Sequence, residues 1–180
     1  MGTDKESRIK PIGLANDTGS IFIRKCTLED LEGVISVNEK ELPEDYPYFF
    51  YKSILDNYND SFLIALNNRA KIIGYIMWRV EKVPAHDSLK ILNKGHLVSI
   101  AILKKWRRTG IATALLNESM KEIKKKGIDE YVLEVRVSNY SAINLYKKFG
   151  FFTKNIKYRY YRDGENAYFM IKKVNTDLEV

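Results

Sequence analysis

Arg107-Arg108-Thr109-Gly110-Ile111-Ala112 is the stretch on which the reading of this 180-residue chain turns. On its N-terminal side, residues 96–102 are nearly all apolar, as expected for a central strand covered on both faces. On its C-terminal side, Ile111, Leu115, Leu116, Met120 and Ile123 recur at helical spacing over 110–126, and Gly127 supplies a C-terminal stop. A strand that feeds a helix through small residues aims unpaired N–H groups and the positive helix end outward. That arrangement forms an anion site suited to a pyrophosphate. Gly110 and Ala112 leave room for close approach, Arg107 and Arg108 add charge, and Thr109, Ile111 and Thr113 complete the backbone of the expected site. It is not a P-loop, because no Gly-Lys-Ser/Thr follows a spaced glycine, and it lacks the other glycines of the dinucleotide fingerprint.

Working outward, residues 21–23 read as a short strand. Thr27-x-x-Asp30 resembles a capping box with aspartate in place of glutamate, opening a helix that carries Leu31, Val34, Ile35 and Val37 until Pro43 ends it. An aromatic-rich turn over 42–51 leads into a short helix. Strands over 61–66 and 72–80 form a hairpin through Asn67-Asn68-Arg69, and 83–93 reads as a loop. Downstream come a strand over 131–135, a helix over 141–149 stopped by Gly150, and a hairpin of 152–161 with 167–174, turned at Asp163-Gly164. The order β-α-α-β-β-β-α-β-α-β-β predicts a single α/β domain: a mixed central sheet flanked by helices. Residues 1–19 read as a flexible lead, 20–174 as the domain and 175–180 as a tail.

Composition narrows the function classes. Thirty Lys and Arg against 23 Asp and Glu give a net charge of +7, which suits an anionic cofactor, a ribosome or nucleic acid. The single cysteine, Cys26, excludes an internal disulfide and reads as a small buried hydrophobe in a reducing compartment. Two histidines, His86 and His96, form no zinc cluster with it, so no structural metal is expected. The N-terminus lacks the apolar core of a signal peptide and no run is long enough to span a membrane. A cytoplasmic protein with no membrane attachment is expected. No aromatic-basic interleaving of an RNA platform is present, so no specific nucleic-acid partner is expected.

Arg107-x-x-Gly110-x-Ala112 after an apolar strand resembles the acetyl-CoA loop of the GNAT acetyltransferases. Leu133-Glu134-Val135-Arg136-Val137-Ser138-Asn139, followed by Ala142-x-x-Leu145-Tyr146-x-x-Phe149-Gly150-Phe151, resembles the other half of that site. Within the superfamily, Leu42-Pro43-Glu44-Asp45-Tyr46, Gly95-His96-Leu97-Val98-Ser99-Ile100-Ala101 and the segment Tyr160-Tyr161-x-Asp163-Gly164-Glu165-x-Ala167-Tyr168 are similar to N-terminal acetyltransferases of the RimI and NatA-catalytic-subunit type. The likeness covers roughly residues 20–173.

The resemblance implies the GNAT fold, acetyl-CoA as cosubstrate and protein or peptide N-termini as acceptors. It leaves ribosome association and the need for an auxiliary subunit open. The attacking α-amino group, of pKa about 7.7–8.0, must lose a proton. Glu134, set among Leu133, Val135 and Val137, is the expected base, with a pKa raised by its apolar strand; His96 on the neighbouring strand is the other candidate. Tyr146 is implied as the acid on the leaving sulfur. Asn139 and the backbone of Ile100, Ala101 and Ile102 are implied as holders of the pantetheine arm. Leu42, Glu44, Tyr46, Tyr160 and Tyr161 are implied around the substrate N-terminus. A lysine or polyamine acetyltransferase of the same fold remains open, as does a basic ribosome- or nucleic-acid-binding module that holds CoA structurally.

Overall fold

The computed structural model describes residues 20–85 and 89–174. The expected lead over 1–19, the tail over 175–180 and His86 lie outside the described residues. The elements follow in the expected order: β1 (Phe22–Lys25), α1 (Leu31–Glu41), α2 (Tyr48–Tyr58), β2 (Leu63–Leu66), β3 (Ile72–Pro84), β4 (Ile91–Ile102), α3 (Ile111–Lys124), β5 (Glu130–Arg136), α4 (Tyr140–Lys148), β6 (Phe152–Lys157) and β7 (Ala167–Lys173). The seven strands are ordered β1-β2-β3-β4-β5-β7-β6. Pairs β1–β2, β2–β3, β5–β7 and β6–β7 are antiparallel, whereas β4–β5 is parallel. The registered β4–β5 pairs run from Lys94↔Glu130 to His96↔Val132.

Two compact units divide the described residues, and β3 and β4 each pass through both. The first unit holds β1, β2, both early helices, most of α3, β3 up to Trp78 and β4 from Ser99. Its core is Leu31, Val34 and Val37 of α1, Tyr51 and Ile54 of α2, β2, and Ile73 with Tyr75–Trp78 of β3. The helix start works as the capping pattern predicts: Asp30 accepts the Thr27 backbone N–H at 2.8 Å and also pairs with Arg24. Several polar groups taken inside are matched, whereas the Tyr51 hydroxyl and Trp106 Nε1 are not. Trp78 Nε1 donates to Ser119 Oγ at 2.9 Å, and the Tyr75 hydroxyl lies 2.6 Å from Asn38 Oδ1 and 2.7 Å from Ser99 Oγ.

The second unit holds Arg79–Val98 and the chain from Ile123 on. Tyr131, Val132, Leu133 and Val135 of β5 are buried with Ile143 and Tyr146 of α4, Phe151, and Ala167, Met170 and Ile171 of β7. Two expectations are corrected here. The expected loop over 83–93 is cut back at both ends: β3 continues to Pro84, β4 begins at Ile91, and the Ala85 N–H donates to Lys90 O at 2.8 Å. Lys90, read as a loop residue, pairs with Asp129. In the last hairpin the strand bounds are shorter than expected: β6 ends at Lys157 and β7 begins at Ala167. The chain between them does turn at Asp163-Gly164, where Gly164 takes φ 84° and donates its N–H to Tyr161 O at 2.9 Å.

Candidate active site

In the second unit four strands contribute to one row of charged side chains. Period-two alternation sets Glu134 among the apolar residues of β5, and the parallel pairing of His96 with Val132 brings β4 alongside it. His96 Nε2 lies 2.7 Å from Glu134 Oε2, and His96 Nδ1 lies 2.6 Å from Glu81 Oε1 on β3. The row is closed at both ends by cations. Arg79 Nε donates to Glu81 at 2.8 Å, and Lys157 Nζ of β6 donates to Glu134 Oε1 at 2.5 Å. The Lys157 ammonium also sits 4.7 Å from the Phe169 ring centre and 5.2 Å from that of Tyr160.

This geometry corrects the expected titration of Glu134. Burial does push its carboxyl up, with only 8% of the side chain exposed. The hydrogen bonds and charges of His96 and Lys157 outweigh that and hold it at about 2. The same exchange acts on the imidazole: burial lowers its pKa, but Glu134 and Glu81 together raise it above the ordinary value. Glu81, which burial would raise, is lowered by His96 and Arg79. Glu134 and His96 are thus one proton-holding pair, not a lone high-pKa carboxylate with a helper.

Tyr146 lies on the inner face of α4, its ring centre 6.0 Å from that of Phe151. Burial raises its pKa, so the hydroxyl keeps its proton at neutral pH, as an acid must. Asn139 is the N-cap of α4 and its Oδ1 accepts the Ala142 N–H at 3.2 Å, which leaves the amide NH₂ as the group for an outside acceptor. Tyr161 stacks on the Arg136 guanidinium at 4.0 Å, and Arg136 in turn pairs with Asp163 and Glu165. Tyr160 meets Tyr161 edge-on at 5.1 Å. Both tyrosines are therefore held by the loop and by charges on the sheet.

In the first unit the predicted phosphate loop has the backbone that anion binding needs. Arg108 takes φ 66° and Gly110 φ 87°, a pair of left-handed residues just before the 14-residue α3. The first N–H groups of that helix have no acceptor within it. Thr109 Oγ1 is tied to Trp106 O at 2.7 Å, which shapes the loop. Arg107 is committed differently from expectation: its guanidinium pairs with Glu41 at the end of α1, and its Nε donates to Ile102 O at 3.0 Å. Glu41 also accepts the Lys104 N–H, and Arg107 and Arg108 are both exposed. Gly74 lets β3 approach β4 here, since a Cβ would stand 2.5 Å from Ile102 Cδ1 and 3.0 Å from Ala101 O. In the 42–46 turn, Asn38 Nδ2 donates to Glu44 O at 2.7 Å, Tyr46 stacks on Phe50 at 4.8 Å, and Leu42 N donates to Asn38 O.

The structure therefore joins His96 and Glu134, as the strand reading expects, and adds Glu81, Arg79 and Lys157. Glu81 lay just past the expected strand end, so alternation was not carried to it. Lys157 has no local signal, because its partner is 23 residues away.

The model of the "Acetyltransferase (GNAT) family" matches residues 27–151. An "N-alpha-acetyltransferase" of Sulfurisphaera tokodaii is 46% identical over 153 residues, covering 82% of this chain and 90% of that protein. The "N-terminal acetyltransferase A complex catalytic subunit NAA10" of Arabidopsis thaliana is 31% identical over 156 residues, covering 86% of this chain and 78% of its own. Among solved structures, a chain of "the NatB acetyltransferase complex bound to CoA and MES" superposes with a TM-score of 0.72 at 26% identity, covering 84% of this chain and 98% of that one.

Proposed function

Because this chain belongs to the GNAT acetyltransferase family, we propose that it is an N-terminal acetyltransferase, moving the acetyl group of acetyl-CoA to the α-amino group of protein N-termini. The observation that carries the chemistry is the Glu134–His96 contact, a half-buried proton-holding pair on adjacent strands. Acetyl-CoA supplies a thioester, which an amine attacks without a covalent enzyme intermediate. The left-handed Arg108 and Gly110 before a long helix fit its pyrophosphate, and the Ile100–Ile102 backbone and Asn139 amide are the expected holders of its arm.

Each residue then has a task. The Glu134–His96 pair takes the proton from the α-amino group, directly or through a water, as nitrogen attacks the carbonyl carbon. Tyr146 gives its proton to the sulfur as the carbon–sulfur bond breaks and regains one from solvent. Leu42, Glu44, Tyr46, Tyr160 and Tyr161 select a chain end. The net charge of +7 supports transient contact with ribosomes in the cytoplasm, where nascent N-termini emerge. No helix among the described residues is long and apolar enough to cross a membrane.

The test compares one lysine-containing peptide with a free and with a blocked N-terminus, each incubated with acetyl-CoA and mapped by mass spectrometry. Acetylation of the free α-amino group alone is expected. Equal labelling of lysine in the blocked peptide would make this a lysine acetyltransferase.

A further inference from the structure

We infer that Glu81 is a positioning residue of this site: anchored by Arg79, it takes the Nδ1–H of His96 and thereby turns the Nε2 edge of the ring onto Glu134. The inference rests on the reading of Glu134 and His96 as the proton-accepting pair. A neutral imidazole has one donor nitrogen and one acceptor nitrogen, whereas an ionised carboxylate only accepts. His96 stands between two carboxylates, at 2.6 Å and 2.7 Å. Both nitrogens are therefore protonated at rest, and one proton must leave before the ring can act. Each carboxylate also holds a cation: Arg79 Nε donates at 2.8 Å to the same Glu81 Oε1 that meets His96 Nδ1, and Lys157 Nζ donates at 2.5 Å to Glu134 Oε1, leaving Glu134 Oε2 to His96. Arg79 Nη2 is 3.4 Å from His96 Nδ1, too long to displace a carboxylate at 2.6 Å.

With the Glu134–His96 contact as the one that exchanges the proton, the proton that leaves is the one on Nε2, and Glu81 holds the one on Nδ1. Glu81 thus does for this ring what an outer carboxylate does for a metal-bound histidine: it sets the tautomer and the ring orientation. The charges that face His96 are Arg79 and Glu81 on β3 and Glu134 on β5, with Lys157 on β6 acting through Glu134. Glu81 supplies a share of the negative field that holds the imidazolium, so its removal lowers the pH at which the ring discharges.

The chain has two histidines, so ¹⁵N-resolved imidazole signals can be assigned with a single His86→Gln control. Wild type, Glu81→Gln and Glu81→Leu are titrated. Glu81→Gln keeps an oxygen acceptor without charge: the His96 midpoint should fall by about one pH unit, a usual size for losing one neighbouring charge, with the Nδ1–H form retained. Glu81→Leu should lower the midpoint as well and let the neutral ring revert to the Nε2–H form. In acetyl transfer, the acid limb of kcat/KM should move to lower pH in Glu81→Gln by the same interval, with KM for acetyl-CoA unchanged. A His96 midpoint and tautomer unmoved in the isosteric Glu81→Gln and in Glu81→Leu would overturn the inference. If wild type fails to acetylate N-terminal peptides, the proposed function fails, and the imidazole titration still decides the role of Glu81.

Discussion

Glu134 is a carboxylate that burial would neutralise and that two cationic neighbours keep ionised at about 2. So low a pKa makes it a poor base alone, yet its exchange with His96 lets the pair take up a proton where the imidazole titrates. Glu134→Gln keeps the shape and removes the charge, and should cost about 100-fold in kcat/KM at neutral pH, equivalent to about 2.7 kcal/mol. The loss should narrow at high pH, where the substrate amine deprotonates unaided. A pH–rate profile on one peptide checks this, and a wild-type profile would remove Glu134 from the mechanism. Tyr146 calls for a separate measurement. Tyr146→Phe should lower kcat by about 10²–10⁴-fold and leave acetyl-CoA affinity unchanged, as followed by single-turnover rates beside calorimetric titration. The setting of Glu134 was legible from strand alternation and the burial of Tyr146 from the spacing of α4, while the acid role of Tyr146 rests on the family resemblance. The direction of the Glu134 shift was not legible, because the groups that set it lie 38 and 23 residues away. A local pattern shows that a carboxylate sits among apolar residues and cannot show which cations reach it.

At the scale of elements, the loop before α3 was the most legible part, since glycine and small residues ahead of a strongly periodic helix have a direct physical meaning. Gly110 at φ 87° is a conformation that a side chain resists, and its open surface is where a phosphate would approach. Gly110→Leu should therefore raise the Kd for CoA at least tenfold in a protein whose far-ultraviolet spectrum is unchanged, while Gly110→Ala should fall between. Unaltered affinity in folded Gly110→Leu would end the phosphate-loop reading. Arg107 shows where such reading stops: the charge was legible, but its pairing with Glu41, 66 residues distant, was not. The extent of β3 was hidden for a similar reason: Glu81 lies past the expected strand end at Val80, and its partner His96 is 15 residues away.

At the scale of the molecule, the half-buried charge row ties stability to pH. The depressed carboxyls of Glu134 and Glu81 contribute above the unfolded value of about 4.3, and the contribution is lost as pH falls toward 2. The raised imidazole of His96 contributes fully below about 6.5, and that part is lost as pH rises through its folded value. The row should stabilise most between about pH 4.3 and 6.5. Other lowered carboxyls, Asp30 and Asp129 among them, share the acid slope, so the neutral-to-alkaline slope is the diagnostic one. Thermal melts from pH 5 to 9 should show Tm falling over that slope in wild type and a flatter line in His96→Gln. Another probe is built in. Trp78 and Trp106, the two tryptophans, are both buried and both belong to the first unit. Indole emission during denaturation therefore reports chiefly on that unit, whereas Glu134 and His96 lie in the other. Followed beside the His96 imidazole signal, it separates two events: coincident curves mean one cooperative collapse, and an earlier imidazole transition means that the second unit opens first.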